Sequence, residues 1–316
     1  MLLQRQRKRG GNMIFSDMAL KTVYLKERGA FKTKTQFWKD FGSEEKINAY
    51  ILKDKEFLNG KESIVKKLES SLADGIICAF DVGFPKSGAK IKNSERPYLL
   101  YYKGNIDLLK RIENNIAVIG VLNPNNGVVE REKGVVSCLL QKGMTIVSGL
   151  AKGCDAIAHE ECVYHNGKTI AILPSTIKNI LPAANRHLAQ SIVDNGGLLI
   201  TEYIDEPLSR YEATGRYIER DRLQALFSKA IVLIASYAQG KGDSGARHAI
   251  NYAESYGVAR YALFDKSSDL NDEQFELNKI LIEDNKVKIW QSTSLDELYD
   301  KQKEKKEIFV EQMRWI

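Results

Sequence analysis

The sequence predicts an α/β protein whose main domain is a Rossmann-like, doubly wound and mostly parallel sheet, preceded by a small helical N-terminal domain. Short apolar runs recur from residue 97 onward, and each is followed by a segment with the spacing of an amphipathic helix. Strands that are apolar throughout are typical of parallel sheets covered by helices on both faces. Residues 13–74 differ, because they show helical periodicity without the alternation of a half-buried strand.

Length and composition are those of a globular protein with one main domain and a smaller one. The chain has 316 residues, of which 43% are hydrophobic and 28% charged. No apolar run approaches the length of a membrane span, and the basic, polar start is not that of a secretory signal. We therefore expect a cytoplasmic protein. Its net charge of +6 suits a polyanionic partner.

The cysteines and histidines do not predict a metal centre. The four cysteines lack Cys-x-x-Cys spacing, and the four histidines lack His-x-x-x-His spacing. A chain of this length does not need disulfides for stability, so reduced thiols are the expectation. We expect neither a metal nor a cofactor.

The predicted domains follow one another along the chain. Residues 1–12 form a basic segment that is expected to be disordered, and residues 13–80 form the helical domain. Residues 81–96 are polar and contain glycine, which predicts a linker or exposed loop. Residues 97–295 form the sheet domain, and residues 296–316 form a charged C-terminal helix or tail.

Strands and helices alternate within the sheet domain. The predicted strands cover residues 98–102, 116–120, 145–147, 169–173, 198–202, 230–235 and 258–264. The predicted helices between them cover residues 126–142, 155–165, 185–195, 217–227 and 244–256. Ligands of such sheets bind at the carboxyl ends of the strands. The turns that follow the second to the sixth of these strands are therefore expected to meet at one edge.

The stretch 145–160 predicts an anion site at that edge. A β-branched strand is followed by the glycine-bearing turn 148–153 and then by the start of a helix. Such a turn exposes backbone N–H groups beside the positive end of the helix dipole, and phosphate is the usual ligand. Ordinary packing without a ligand accounts for this turn equally well.

Basic and aromatic residues on the neighbouring turns extend this site into an expected cationic crevice. Arginine and lysine would follow the backbone of single-stranded DNA, and tyrosine would stack on its bases. A nucleotide-sized ligand fits the same edge. The candidate binding residues are Ser148, Gly149, Lys152, Gly153, Asn185, Tyr217, Arg220, Arg222, Lys241, Ser244 and Gly245.

Some of these side chains also have expectations of their own. Asn185 is placed to cap the helix that it begins. Arg220 and Arg222 are two residues apart and diverge on a helix, so that one faces the ligand while the other pairs with an acidic neighbour. Asp155 and His159 are one helical turn apart, within reach of each other as an acid/base pair. A polar contact that holds the turn is the simpler account of that pair.

The motifs in this region resemble those of the DprA/Smf family of DNA-processing proteins. Residues 148–155, SGLAKGCD, together with His159 resemble the family signature S-G-x-A-x-G-I-D-x-x-x-H. Residues 97–109 resemble its entry segment, and residues 217–222, YIERDR, resemble its F-P-x-R-N-R motif. The resemblance runs from residue 97 to residue 295. It implies a Rossmann-like core that binds single-stranded DNA, a homodimer, and a RecA-type recombinase as partner.

Two departures from the family pattern change the expected site. The family's first turn carries Gly-Ser-Arg, whose arginine grips phosphate, whereas residues 120–124 read GVLNP. The family's Arg-Asn-Arg has become Arg220-Asp221-Arg222, which places a carboxylate inside the anion site. The absence of a cationic phosphate contact predicts weaker binding with a flatter salt dependence.

The sequence therefore favours a non-enzymatic protein that binds single-stranded DNA in DNA uptake, in recombination, or in a mobile-element or defence variant of these. An alternative is a nucleotide-binding sensor or nucleoside-phosphate hydrolase on a lysine-decarboxylase-like Rossmann core. The P-G-G-x-G-T-x-x-E loop of such enzymes is missing from residues 240–245, which counts against catalysis. A structural partner protein whose site has decayed is a third alternative.

Overall fold

A nine-stranded sheet lies at the centre of the computed structural model, which describes residues 14–86, 91–296 and 299. Its strands are β1 (Gly75–Cys78), β2 (Leu99–Gly104), β3 (Asn115–Ile119), β4 (Thr145–Ser148), β5 (Thr169–Ile172), β6 (Leu198–Thr201), β7 (Ala230–Leu233), β8 (Ala259–Ala262) and β9 (Lys288–Ile289). The α-helices of the described residues are α1 (Asp17–Glu27), α2 (Lys34–Phe41), α3 (Glu44–Lys53), α4 (Phe57–Glu69), α5 (Asn126–Gln141), α6 (Cys154–Tyr164), α7 (Arg186–Asp194), α8 (Arg210–Leu226), α9 (Arg247–Tyr256) and α10 (Glu276–Glu283).

The strand order is β1-β2-β6-β5-β4-β3-β7-β8-β9. All neighbours from β6 to β9 pair in parallel, and Ile116 of β3 lies opposite both Ile146 and Ala230. The chain builds outward from β3 through β4, β5 and β6, and then returns to add β7 on the other side of β3. This reversal is a topological switch point, where a doubly wound sheet leaves a crevice at the carboxyl ends of its strands. The predicted α/β, mostly parallel fold is confirmed.

The sheet edge beyond β6 departs from the expected pattern. β2 is antiparallel to β6, with Tyr101 opposite Thr201, and β1 is antiparallel to β2. β1 lies at the end of residues 13–80, so the predicted helical domain is helical through α4 and its last residues add a strand to the sheet. The four residues of β1 are all buried, and so short an apolar run has no periodicity that separates a strand from the end of a helix.

Helices α1 to α4 pack directly on this edge of the sheet. Leu20 and Phe37 from these helices belong to the same hydrophobic cluster as Leu99 of β2 and Ile192 of α7. The region predicted to be a linker is partly anchored as well, because Phe84 is buried in the cluster around β2. The helical region and the sheet therefore share a continuous core.

Polar caps set the start of many helices. Ser16, Thr33, Ser43, Asn125 and Ser209 each accept a hydrogen bond from the backbone N–H three residues further on. Helices α6 and α9, which begin at the switch point, have no such side-chain cap. Their first turns are instead bounded by neighbouring loops, and this places those loops around the crevice.

Two expectations concern parts of the chain with little or no structural description. Residues 1–12, and all of the predicted tail 296–316 except residues 296 and 299, lie outside the described residues.

Among the described helices, none combines the length and apolar character needed to cross a bilayer. No cluster of three or more His, Cys, Asp or Glu side chains suited to a metal ion occurs in the described part of the chain.

Candidate nucleic-acid interface

A cavity of about 380 Å³ lies at the switch point, at the carboxyl ends of β3 and β7. The turns after β3 and β4 and the loop after β7 form three of its sides. The fourth side is one face of α8, whose contributing residues are spaced three or four apart and so share that face. These α8 residues are Thr214, Tyr217, Ile218, Arg220, Asp221 and Gln224.

The structure brings several predicted site residues together here. Tyr217, Arg220 and Gly245 line the cavity. Gly149 lies directly against the Arg220 guanidinium, since a Cβ atom at this position would stand 1.3 Å from Nη1 of Arg220. The glycine of the turn after β4 therefore leaves room for an arginine from α8.

Carboxylates surround that arginine, so the cavity is acidic where the sequence led us to expect a cationic crevice. Nη1 of Arg220 lies 3.4 Å from Oδ2 of Asp155, and its Nε lies 3.1 Å from Oδ1 of Asp221. Asp243 adds a third carboxylate to the lining, while His248 is the other basic side chain there. The cavity is not cationic because its one arginine, Arg220, is paired with carboxylates from α6 and α8.

The turn after β4 is held by its own polar contacts. The Ser148 hydroxyl is buried and donates to the Val118 carbonyl at 2.7 Å. Gly153 has a φ of 70°, and a Cβ there would stand 2.4 Å from the Val121 carbonyl oxygen. The Ala151 N–H donates to Oδ2 of Asp155 at 3.2 Å. A carboxylate of the chain thus occupies the start of α6, where the sequence predicted phosphate.

Asn185 has a different role from the predicted helix cap. Its side chain makes no cap hydrogen bond, because a 3₁₀ turn, Ala183–Asn185, precedes α7. Its amide instead donates to the carbonyls of Leu150 and Ala151 at 2.9 and 3.0 Å. Asn185 therefore fastens the turn after β5 to the turn after β4.

Arg222 points away from the cavity. It is fully buried, and its Nη2 donates to Oε2 of Glu202 at 2.5 Å. Lys34 of α2 approaches the same carboxylate at 3.7 Å. Burial alone would raise the pKa of Glu202, but the Arg222 and Lys34 charges outweigh it and hold that pKa below its usual value. The two arginines diverge on α8, but both pair with carboxylates: Arg222 pairs with Glu202, and Arg220 pairs with Asp155 and Asp221.

The loop after β7 contributes fewer of its predicted residues. Lys241 is exposed, lies outside the cavity lining, and pairs with Glu276 at 2.8 Å. Ser244 is buried, and its hydroxyl accepts from Nη1 of Arg247 at 3.2 Å. Asp243 fixes the loop against the turn after β3, because its Oδ2 accepts from the Leu122 N–H at 2.6 Å.

Asp155 and His159 do not act on each other. Nδ1 of His159 lies 2.7 Å from the Thr169 hydroxyl, inside the core between α6 and β5. Burial, reinforced by the Arg220 charge, lowers the pKa of His159 to about 3. The imidazole is therefore neutral near pH 7, and Asp155 holds the turn, as the simpler account expected.

Three residues that the sequence analysis did not select also belong to this edge. Gln224 lines the cavity one α8 turn beyond Arg220, so the helical spacing from Tyr217 onward could have identified it. Lys178, after β5, is exposed like Lys152, after β4. Arg186 is exposed as well, and its Nη2 donates to Oδ1 of Asn179 at 3.2 Å.

A family model described as DNA recombination-mediator protein A matches residues 75–300. The chain belongs to this family. The resemblance of the motifs to DprA/Smf proteins is thereby confirmed, and the alternative nucleotide-hydrolase family is not favoured.

Curated relatives of the family agree with this assignment. The DNA processing protein DprA of Streptococcus pneumoniae is 39% identical over 155 residues, which are 48% of this chain and 50% of the relative. Protein Smf of Synechocystis is 31% identical over 186 residues, which are 58% of this chain and 44% of the relative. The chain thus spans about half the length of the curated relatives it matches.

Solved structures of the DprA family share the fold. DprA from Streptococcus pneumoniae superposes with a TM-score of 0.64 at 22% identity, covering 87% of this chain and 92% of that one. DprA from Helicobacter pylori, whose structure is described for its single-stranded DNA binding mode, gives a TM-score of 0.58 at 23% identity. That superposition covers 74% of this chain and 98% of the Helicobacter chain.

Proposed function

We propose that this DprA-family chain binds single-stranded DNA at the carboxyl edge of its sheet. It would act, without catalysis, in DNA uptake, in recombination, or in a mobile-element or defence variant of these. Membership of the family supports the ligand class, since the Helicobacter relative is described as binding single-stranded DNA. The observation that carries the proposal is a set of exposed cations on the turns after β4 and β5, at the carboxyl edge of the sheet.

This cationic rim consists of Lys152, Lys178 and Arg186. The three residues follow successive parallel strands, β4 and β5, and all are exposed. Asn185 fastens their two turns together through its bonds to Leu150 and Ala151. Exposed cations at one edge of the sheet suit the phosphates of a strand, because single-strand binding depends on backbone neutralisation.

The non-enzymatic part of the proposal is supported by the state of the residues that catalysis would use. His159 is fully buried and bonded to Thr169, so it does not reach a ligand in the cavity. Asp155 is shared between the Ala151 N–H and Arg220. Incubating the protein with nucleoside phosphates and with single-stranded DNA, and finding no released product, tests this part.

The assembly and partners also belong to the proposal. We propose a homodimer and a RecA-type recombinase as partner, as the resemblance of the motifs to the family implies, and a cytoplasmic location. Sedimentation velocity of the full chain tests the dimer, and co-sedimentation with a RecA-type recombinase on DNA tests the partner. A monomer at all concentrations would refute the homodimer, and the absence of recombinase from the pellet would refute the partner.

Salt-dependent binding of a labelled oligo-dT tests the DNA proposal itself. In the double variant Lys152→Ala/Lys178→Ala, the slope of log affinity against log salt concentration should fall by about 0.7 for each phosphate that is no longer neutralised. Lys142→Ala/Lys168→Ala is the matched control, since these lysines precede β4 and β5 and lie at the opposite edge. Equal slopes for both double variants would refute the rim as the strand-binding surface.

A further inference from the structure

A second cavity, of about 360 Å³, lies where the N-terminal helices meet the sheet. Its walls come from α1, the start of α2, the segment before β2, the end of β6 and one side of α8. Because β6 neighbours β5 in the sheet, this cavity comes next along the carboxyl edge after the turns that carry the cationic rim. We call it the lysine cavity, since Lys26, Lys32 and Lys34 line it.

The two carboxylates of the lysine cavity are already neutralised. Glu202 accepts from Nη2 of Arg222 at 2.5 Å, and its Oε2 lies 3.7 Å from Nζ of Lys34. Glu219 pairs with Lys34 as well, and its Oε2 lies 3.5 Å from Nε of Arg222. Two cations and two carboxylates thus form a closed network, which adds no net charge to the cavity.

Lys26 and Lys32 are left without a counter-charge in the cavity. Neither ammonium makes a hydrogen bond or an ion pair with the residues that the structure describes. Glu27 and Asp205, whose charges also reach Lys26, are both paired with Lys67, at 2.7 and 2.8 Å. Lys26 is half-buried, and burial lowers its pKa in spite of these carboxylates. A desolvated ammonium without a partner is unfavourable, and an anion beside it would remove that cost.

The charge of the lysine cavity matches a phosphate monoester. Lys26 and Lys32 present two uncompensated positive charges, and a monoester carries a charge of about −1.5 to −2 at pH 7. A phosphodiester of a DNA backbone carries a single charge, so it would leave one ammonium unpaired. The cavity therefore favours the doubly charged group over the backbone phosphates that the cationic rim would hold.

The remaining walls of the lysine cavity suit the organic part of such a ligand. Tyr98 and Tyr203 supply aromatic surface, and the Arg216 guanidinium lies 4.1 Å from the ring centre of Tyr203 and fixes that ring. Thr33 and Lys34, the cap and the first residue of α2, also line the cavity, so the positive end of this helix dipole adds to the attraction. The volume lies within the range of small-molecule sites.

We infer that the lysine cavity binds a phosphate monoester between Lys26 and Lys32. The monoester has two sources of the same chemistry, the terminal phosphate of a DNA strand that passes the cationic rim and a free mononucleotide. The first source rests on the proposed function, whereas the second does not. Two sets of probes separate them.

The first set consists of thymidine 5′-monophosphate, its methyl diester and thymidine, each titrated into the full chain by calorimetry. The monophosphate should bind at least about tenfold more tightly than the diester, because a charge-assisted contact to one ammonium is lost. The second set consists of oligo-dT with hydroxyl ends, with a 5′-phosphate or with a 3′-phosphate. One phosphorylated end should bind about tenfold more tightly than the hydroxyl end if the strand is the source. Absence of a monoester preference in both sets would overturn the inference.

Variants locate the preference for the monoester. Lys26→Gln and Lys32→Gln should each bring it close to one, whereas Lys39→Gln should keep it, since Lys39 is an exposed lysine of α2 outside the cavity lining. Lys32 is exposed, so its replacement does not disturb the core. An unchanged preference in Lys32→Gln would refute the assignment even if Lys26→Gln failed to fold.

The two sets together identify the source and test the DNA proposal separately. A monoester preference among the oligomers assigns the cavity to the strand end, and a preference among the nucleotides alone assigns it to the free mononucleotide. The rim variant Lys152→Ala/Lys178→Ala should weaken all three oligomers and keep their ratio. Oligomer binding without any monoester preference would refute the lysine cavity and leave the DNA proposal standing, while monophosphate binding without any oligomer binding would refute the DNA proposal alone.

Discussion

Replacing Asp221 by asparagine should change how the stability of the protein depends on pH. Asp221 is 8% exposed, and burial, only partly offset by the Arg220 charge, raises its pKa from the ordinary 3.8 to about 7. The folded protein therefore keeps a proton that the unfolded chain releases near pH 4. Stability from this group is fully present below pH 4 and declines as the pH rises to about 7.

The size of the effect follows from the two pKa values. Each pKa unit corresponds to about 1.4 kcal/mol, so the ionisable Asp221 makes the folded state at pH 8 less stable by at most about 4 kcal/mol. Asparagine has the same shape without the charge, and it is the residue of the family motif. Asp221→Asn should thus stabilise the protein at pH 8, and the gain should shrink toward pH 4.5.

Urea unfolding of the wild-type protein and of Asp221→Asn at pH 4.5 and pH 8 measures this difference. The exposed Asp40→Asn serves as the control, with an expected change within about 0.5 kcal/mol at both pH values. A difference between Asp221→Asn and wild type that is constant over this pH range would refute the reasoning. A difference that shrinks as pH rises would do so as well.

Further predictions concern packing, ion pairing and thiol reactivity. In thermal melts, Gly149→Ala should destabilise the fold by about 1–3 kcal/mol, because the added methyl group collides with the Arg220 guanidinium. The control Gly134→Ala, at an exposed position of α5, should be neutral or stabilising in the same melts. Arg222→Ala should cost about 3–5 kcal/mol in urea unfolding, since the buried Glu202 is deprived of its main partner, and a cost below about 1 kcal/mol would contradict that pairing. A thiol reagent should label Cys138 first in the native protein, because burial raises the pKa of the other three thiols; rapid labelling of two or more thiols would contradict it.

The sequence predicted the sheet well because its strands are apolar runs separated by glycine-bearing turns. Strands and helices alternate along the chain, and this order predicts a parallel sheet. In such a sheet, the turns that bind ligands lie at the carboxyl ends of the strands. β1 was missed because four buried residues carry no periodicity. The switch-point cavity was therefore predictable in position, since it depends on strand order, while the outer edge of the sheet was not.

The chemistry of the cavity was less predictable than its position. Asp221 is visible in the sequence as a departure from the family motif, but the orientation of Asp155 toward Arg220 depends on how α6 packs against α8. The partner of Arg222 comes from the end of β6, and a third member, Lys34, comes from the helical region. Contacts between residues so distant in the chain are determined by tertiary packing, which local patterns do not encode.

Two faces of helix α8 make different contacts, and together they connect the switch-point cavity to the N-terminal helices. One side carries Asp221 and Gln224 into the cavity, and the other is tied through Arg222 and Glu202 to Lys34 of α2. A protein that docks on the N-terminal helices and displaces α2 would disturb the contacts of Glu202 with Lys34 and Arg222. Because Arg222 belongs to α8, the displacement would also shift the helix that forms the cavity wall. Binding of such a partner would then change the affinity for a bound DNA strand without any direct contact between the partner and the DNA.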